Sequence, residues 1–292
     1  MKPSNKYVLI IFMLGSFTIS ACKKDQLGPA PTIDFSIQVS GDTVRFTNLT
    51  TGATSYKWDF GDGDSSTEES PMHIYPGKGK YVPTLYVTSQ DGATADGSTV
   101  IHISKTSPVR LNDKSISDWD TLSVNVYTSS ASGGNFILGK FDYDANNIYF
   151  YFEMKATVAD GNIFDFYLDV DNNATTGLLT GAFTNGGYDE LIEGQMLLNQ
   201  STAPIPFTPF AHTGAQDAFS FSPLSLSDFY KIGTVVQDGN VLKFEGSLDR
   251  AKLSLTGAAI RLGIITTKSD WSATLGSLPD ANTDSYLLNL PE

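Results

Sequence analysis

Cysteine is nearly absent from this 292-residue chain: Cys22 is its only one. No internal disulfide can form, and zinc sites built on two or more thiolates are excluded. Histidine is scarce too, and His73, His102 and His212 do not cluster. Positive charge is in short supply, with 19 Lys and Arg against 32 Asp and Glu, for a formal charge of -13. Nucleic acid binds through clustered Lys and Arg that displace counterions. No basic stripe is present, so that class of partner is excluded. Charged residues total 17%, below the ~25% of an average soluble protein. No apolar helical period persists over a long window, which argues against a helical bundle or coiled coil. Neither G-x-S-x-G, H-E-x-x-H nor a P-loop occurs. Glu190 and Glu193, three apart, would face opposite sides of a strand and make no local carboxylate pair. The chain reads as a non-enzyme.

What is plentiful is aromatic and turn-forming. Aromatics are 12%, with 13 Tyr and 18 Phe, and there are 26 Gly. Aromatic and β-branched side chains pack well on a pleated surface, so the fold class expected is all-β. The length suits about two domains. Between Lys2/Lys6 and Cys22 runs an uncharged stretch, Tyr7 to Ile19. It is shorter than the about 20 residues a helix needs to span a bilayer, and it has the length of a signal-peptide core. It ends in Ile19-Ser20-Ala21-Cys22. Small residues before a lone Cys resemble a bacterial lipobox, which implies a signal peptide over 1–21, lipidation of Cys22 and an outer-membrane anchor. Lys23-Lys24-Asp25 resembles the charged run of surface-exported Bacteroidota lipoproteins, so the anchored chain would face the cell surface or the periplasm. Residues 22–31 read as a Pro- and Gly-containing tether.

From 32 to 105, short alternating runs recur between turn residues, as in a β-sandwich. Trp58 and Phe60 share one strand face and are expected in the core, with Gly61 and Gly63 in a tight turn. Trp58-Asp59-Phe60-Gly61-Asp62-Gly63, Pro71-Met72-His73-Ile74-Tyr75 and the Gly79–Val87 strand resemble the signature of PKD domains. That resemblance implies an Ig-like sandwich serving as a spacer or protein-contact module. Asp59 and Asp62 are expected to accept backbone N–H bonds in the turn.

Residues 108–292 form a second, larger unit. Strands are expected at 122–127, 135–143, 148–155, 163–170, 188–198, 241–248 and 259–267, with a short helix at 249–253. Leu111-Asn112-Asp113, Trp119-Asp120, the aromatic run 147–153, Asp169-Val170-Asp171-Asn172-Asn173 with Thr176-Gly177, and Gly187-Tyr188-Asp189 resemble family 9 carbohydrate-binding-like and DOMON-like domains. The departures are Lys114 for a glycine and Asp189-Glu190 for Asp-Tyr. The resemblance implies a jelly-roll-like β-sandwich, and thus two sandwiches in tandem.

Two sites stand out. Asp169, Asp171 and Asn173, with Asp189 returning from the next strand, offer the oxygens that Ca²⁺ takes in sixes to eights. The same run also fits a self-capping Asp/Asn turn. Any Ca²⁺ here is expected to be structural. Trp119, Trp271, Tyr149, Tyr151 and Tyr188 are the aromatic candidates for stacking on a sugar, each with a core role as the alternative. In an alternating strand, Tyr149 and Tyr151 oppose Phe150 and Phe152, and the tyrosines are expected outside. The function expected is non-catalytic binding of extracellular carbohydrate, with a structural or adhesion contact to an envelope protein as the alternative.

Overall fold

The computed structural model describes residues 28–255 and 257–290, so the signal-peptide and Cys22 expectations lie outside the described residues. Among the described residues no helix is long and apolar enough to cross a membrane. Among the described residues the regular structure is all strand apart from three short 3₁₀ turns, Ser117–Thr121, Ala131–Gly133 and Val158–Asp160. It is organised around two separate apolar cores.

In the N-terminal unit a three-stranded sheet (Phe35–Ser40, Thr43–Asn48, Met72–Ile74) faces a four-stranded one (Ser65–Ser66, Ala53–Asp59, Thr84–Ser89, Thr94–Ser98). A two-stranded ladder, Gly79–Tyr81 with Ile101–Ile103, completes it. Trp58 and Phe60 are buried, as alternation required, against Phe46, Leu85 and Tyr75. The turn after them is built from carboxylates. Asp59 Oδ1 accepts from Gly61 N–H at 2.9 Å and Asp62 Oδ1 from Asp64 N–H at 3.1 Å. Gly61 has φ +80°, and a Cβ there would press on the Val82 backbone. Only glycine meets both conditions. Pro83 interrupts the expected long strand, dividing it into Gly79–Tyr81 and Thr84–Ser89, because proline offers no N–H to a ladder.

The second unit is a sandwich. Its first sheet runs Val126–Thr128, Phe136–Tyr143, Asn147–Lys155, Val241–Asp249, Tyr230–Asp238. Its second runs Phe221–Pro223, Thr208–His212, Glu190–Gly194, Ile163–Asp169, Ala259–Thr267, Thr274–Leu278, with Tyr286–Asn289 also paired to Ala259–Thr267. Between the sheets Phe150, Phe152 and Phe244 meet Phe164, Phe166 and Ile264. Residues 249–253 do not form the expected helix: a turn follows the strand, with Leu253 N–H bonded to Asp249 and Leu255 N–H to Arg250. Five residues cannot repay helix nucleation when sheet pairing competes for the same backbone. The expected strand 188–198 is only Glu190–Gly194. Gly194, at φ +144°, ends it where the Pro206 backbone approaches.

The units meet at Asp142, which is buried. Lys105 Nζ reaches its Oδ1 at 2.5 Å and Ser107 Oγ its Oδ2 at 2.6 Å.

Candidate functional site

The aromatic candidates separate by burial. Residues 109–122 cross the outer face of the first sheet and cover it with Val109, Leu111, Ile116, Trp119 and Leu122. Trp119 is 1% exposed, stacks on Tyr151 at 5.6 Å, and donates its Nε1–H to Glu245 Oε2 at 2.9 Å. Tyr151 is buried with its hydroxyl on Glu153 at 2.7 Å, and Tyr149 is half-buried with its hydroxyl on Asp144 at 2.8 Å. The two tyrosines do oppose Phe150 and Phe152, but this covering segment takes their face out of water. Tyr188 is 0% exposed and packs on Tyr167 in a satellite cluster. Trp119, Tyr151 and Tyr188 are therefore corrected to packing residues, whereas Tyr149 is half-buried and its hydroxyl braces the turn at Asp144.

Trp271 is different. It is 47% exposed and has φ +63°, a left-handed backbone that suits glycine or asparagine. Its turn joins strands Ala259–Thr267 and Thr274–Leu278. The turn is closed by Trp271 N–H to Lys268 at 2.9 Å, Lys268 N–H to Ala273 at 3.0 Å and Ser272 N–H to Asp270 Oδ1 at 3.0 Å. Lys268, Ser269 and Asp270 of this turn form one wall of a cavity of about 340 Å³, whose other wall includes Asn135, Lys155 and Asn162. That volume lies in the ~300–1,000 Å³ range of ligand pockets. Sequence reading found the tryptophan but not the cavity, whose walls come from segments more than a hundred residues apart.

The carboxylates Asp169, Asp171 and Asp189 converge: one oxygen from each lies within 4.8 Å of the others. Asp169 ends strand Ile163–Asp169 and is buried. Its Oδ1 accepts from Asn173 N–H at 3.0 Å and its Oδ2 from Gly187 N–H at 3.2 Å. Asp189 Oδ2 accepts from Val170 N–H at 3.1 Å. Gly187 is fixed by packing, since a Cβ would collide with the main-chain oxygens of Thr176 and Asn173. Burial raises the Asp169 carboxyl, with Asp171 adding to the shift and the Gly187 and Asn173 N–H bonds opposing it. Burial pushes Asp189 up to about 6, with Asp171 and Asp169 adding repulsion. Asn173 does not join them. Its Oδ1 accepts from Thr175 N–H at 3.1 Å and Thr175 Oγ–H at 2.7 Å, so the side chain caps its own turn. Arg261, opposite Asp169 in the ladder, is turned to Asn172 Oδ1 and the Ser285 carbonyl. Among the described residues these three carboxylates have no ion-pair partner, and their oxygens could hold a hard divalent ion.

A second acidic pair escaped the sequence reading. Asp165 stands opposite Glu193 on the outward face of the second sheet. Asp165 is 6% exposed, and its Oδ1 has no partner among the described residues. Burial pushes it up to about 7, with Glu193 adding to the shift, and burial also raises Glu193. The available signal was a single Asp at an outward position inside the aromatic run 163–168. In the N-terminal unit, Asp62, Asp64 and His73 also converge. There the His73 Nε2 is 2.7 Å from Asp62 Oδ2 and its ring stacks on Phe60 at 3.9 Å, so the imidazole is part of the turn's packing.

The chain spans 15% of the length of a microbial collagenase of Vibrio alginolyticus, with 29% identity over 137 residues, or 47% of this chain. It spans 7% of the pre-pro-metalloprotease PrtV of Vibrio cholerae, with 39% identity over 67 residues, or 22% of this chain. The solved PKD1 domain of the latter is 35% identical, covering 26% of this chain and 98% of that one, with a TM-score of 0.25. A solved structure of carbohydrate-binding modules from the β-sandwich superfamily covers 76% of this chain and 92% of its own, at 13% identity and a TM-score of 0.28. A family model described as PKD domain matches residues 28–103, which contain the Trp58–Gly63 turn and the His73 strand. The N-terminal unit is a PKD domain, followed by a β-sandwich.

Proposed function

We propose that this chain is a non-catalytic, membrane-anchored binding protein. Its second domain holds an extracellular carbohydrate at the Trp271 turn, and its PKD domain is the spacer. Cys22 would carry the lipid, placing the chain on the outer membrane with its domains at the cell surface or in the periplasm. The observation that carries the sugar reading is Trp271. It is a half-exposed indole on a left-handed backbone, next to a cavity walled by amide, hydroxyl and charged groups. A non-glycine residue in that region is strained by about 1–2 kcal/mol, and strain of this kind clusters at binding sites. An indole face suits the C–H face of a pyranose, and the cavity's polar groups suit its hydroxyls. Asp169, Asp171 and Asp189 would hold a Ca²⁺ that locks the 169–189 loop to the sheet edge. The ion's work would be structural, because the cluster belongs to a different loop from the Trp271 turn.

The test is a glycan and polysaccharide screen with the full chain, wild type against Trp271→Asn. Asparagine tolerates the left-handed backbone and removes the ring. Saturable binding lost in the variant at unchanged melting temperature is the expected result. Wild-type-like binding by Trp271→Asn sinks this placement. The protein-contact alternative has its own observation in the edge strand Met72–Ile74 of the PKD domain. There Met72 and Ile74 are 60% and 66% exposed.

A further inference from the structure

Residues 104–107 connect the last strand of the PKD domain, Ile101–Ile103, to the second unit. The two units share little else. The core around Trp58 draws only on residues 33–103, and the core between the larger sheets only on residues 127–290. Among the described residues no sheet contains strands of both units. Beside the linker the units are parted by a cleft of about 550 Å³. Val39, Ser40 and Gly41 of the PKD domain line one side, and Asp144, Ala145 and Asn146 line the other. Two domains with so little common surface move relative to one another unless something ties them.

The linker carries such a tie. Lys105 Nζ donates to Asp142 Oδ1, to the Tyr143 carbonyl at 2.9 Å and to the Thr106 carbonyl at 3.3 Å, and lies 4.7 Å from the centre of the Tyr143 ring. Ser107 Oγ donates to Asp142 Oδ2 at 2.6 Å and accepts from Val109 N–H at 3.1 Å. Pro108 fixes its own φ and keeps Ser107 out of the helical region. On the PKD side the Thr106 methyl reaches the Gly41 turn, 4.0 Å from where a Cβ on Gly41 would stand.

The receiving group is built for this contact. Asp142 is 2% exposed on strand Phe136–Tyr143, and each of its oxygens is met by a linker side chain. An exposed ion pair would contribute little to holding two domains together. Asp142 differs, because withdrawing Lys105 leaves a buried carboxylate without its cation, which is strongly unfavourable.

We propose that Asp142 is the catch of an interdomain latch. With Lys105 and Ser107 seated on it, the PKD domain and the second domain move as one rigid body. With the latch released, the four-residue linker is a hinge that opens and closes the cleft. The inference is independent of what the second domain binds and of the anchor.

The experiment measures a distance distribution by double electron–electron resonance on the full chain. Cys22→Ser removes the native thiol, and Thr94→Cys and Asp238→Cys carry the nitroxide labels. Both positions are exposed. Thr94 pairs with Thr88 at the end of the PKD domain away from the Gly41 turn, and Asp238 pairs with Val241 at the end of its sheet away from the 144–146 turn. A small change of interdomain angle therefore moves the labels far. With the latch intact, a single narrow distance is expected. In the Lys105→Met/Asp142→Asn double variant, which leaves no unpaired charge behind, that distance should be lost to a broad distribution, with the melting transitions unchanged. Should the double variant melt early, Lys105→Met alone, altered only in the linker, decides in the same way. A broad distribution with the latch intact overturns the inference, because the tie is then open in solution. An equally narrow distribution in the variants also overturns it, because the angle is then held elsewhere.

Discussion

Replacing Asp165 by asparagine should stabilise the second domain at neutral pH and leave it unchanged in acid. Asp165 is 6% exposed, faces Glu193 across one strand and Ile265 across the other, and has an oxygen without a partner. Burial, reinforced by Glu193, moves its carboxyl from 3.8 to about 7. The folded state thus holds a proton that the unfolded chain releases near 3.8. Below about pH 4 both states are protonated and the site carries no penalty. Between pH 4 and 7 the unfolded state gains by ionising, so stability falls as pH rises, and above 7 the penalty is complete. A gap of about three units at ~1.36 kcal/mol per unit is about 4 kcal/mol. Asparagine keeps the volume and cannot ionise. For a domain of this size, ~1 kcal/mol moves the melting temperature by roughly 2–4 °C, so the variant should gain about 8–16 °C at pH 8. Scanning calorimetry of wild type and Asp165→Asn at pH 4, 5.5, 7 and 8.5 reads the difference directly. Glu190, which burial pushes up to about 7, contributes to the slope of both proteins and cancels in that difference. A variant-minus-wild-type gap that does not change with pH would refute the reasoning.

Two other perturbations follow from the same geometry. Trp119→Ala should cost about 3–5 kcal/mol in urea unfolding, because it empties a fully buried site and leaves Glu245 Oε2 without its donor. A variant as stable as wild type would mean that the covering segment is not held by this side chain. Ca²⁺ at about a hundred times its dissociation constant should add ~2.7 kcal/mol to wild type. The gain should vanish in EDTA or in Asp189→Asn, and identical melting in Ca²⁺ and EDTA would remove the ion from the account.

Much of the local structure was legible in the residues. The period-2 runs located most strands, and Trp58-Asp59-Phe60-Gly61-Asp62-Gly63 specified a turn in which two carboxylates bond backbone N–H groups two residues on. Such features depend on neighbours within a few positions, where side-chain period and turn chemistry act. The convergence of Asp169, Asp171 and Asp189 was also within reach, because one strand crossing returns Asp189 beside its partners.

The aromatic content was the misleading part. Its abundance suggested a sugar-facing surface, yet Phe136, Phe141, Phe150, Phe152, Phe164, Phe166, Phe207 and Phe244 fill the space between the sheets. Alternation says which residues share a face, but not whether another segment will cover it. Tyr149 and Tyr151 took the outer face as expected, and residues 109–122 then folded over them. That decision belongs to the tertiary structure, because it joins segments some thirty residues apart through Trp119 and then Glu245 from much farther along. The same holds for the Asp165–Glu193 pair and for the cavity of Lys155 and Lys268. The sequence by itself determined the strand class, the turns and the PKD signature. Only the fold decided which aromatic stays in water and which carboxylates repel one another, because burial and cross-strand neighbours arise only when distant segments pack.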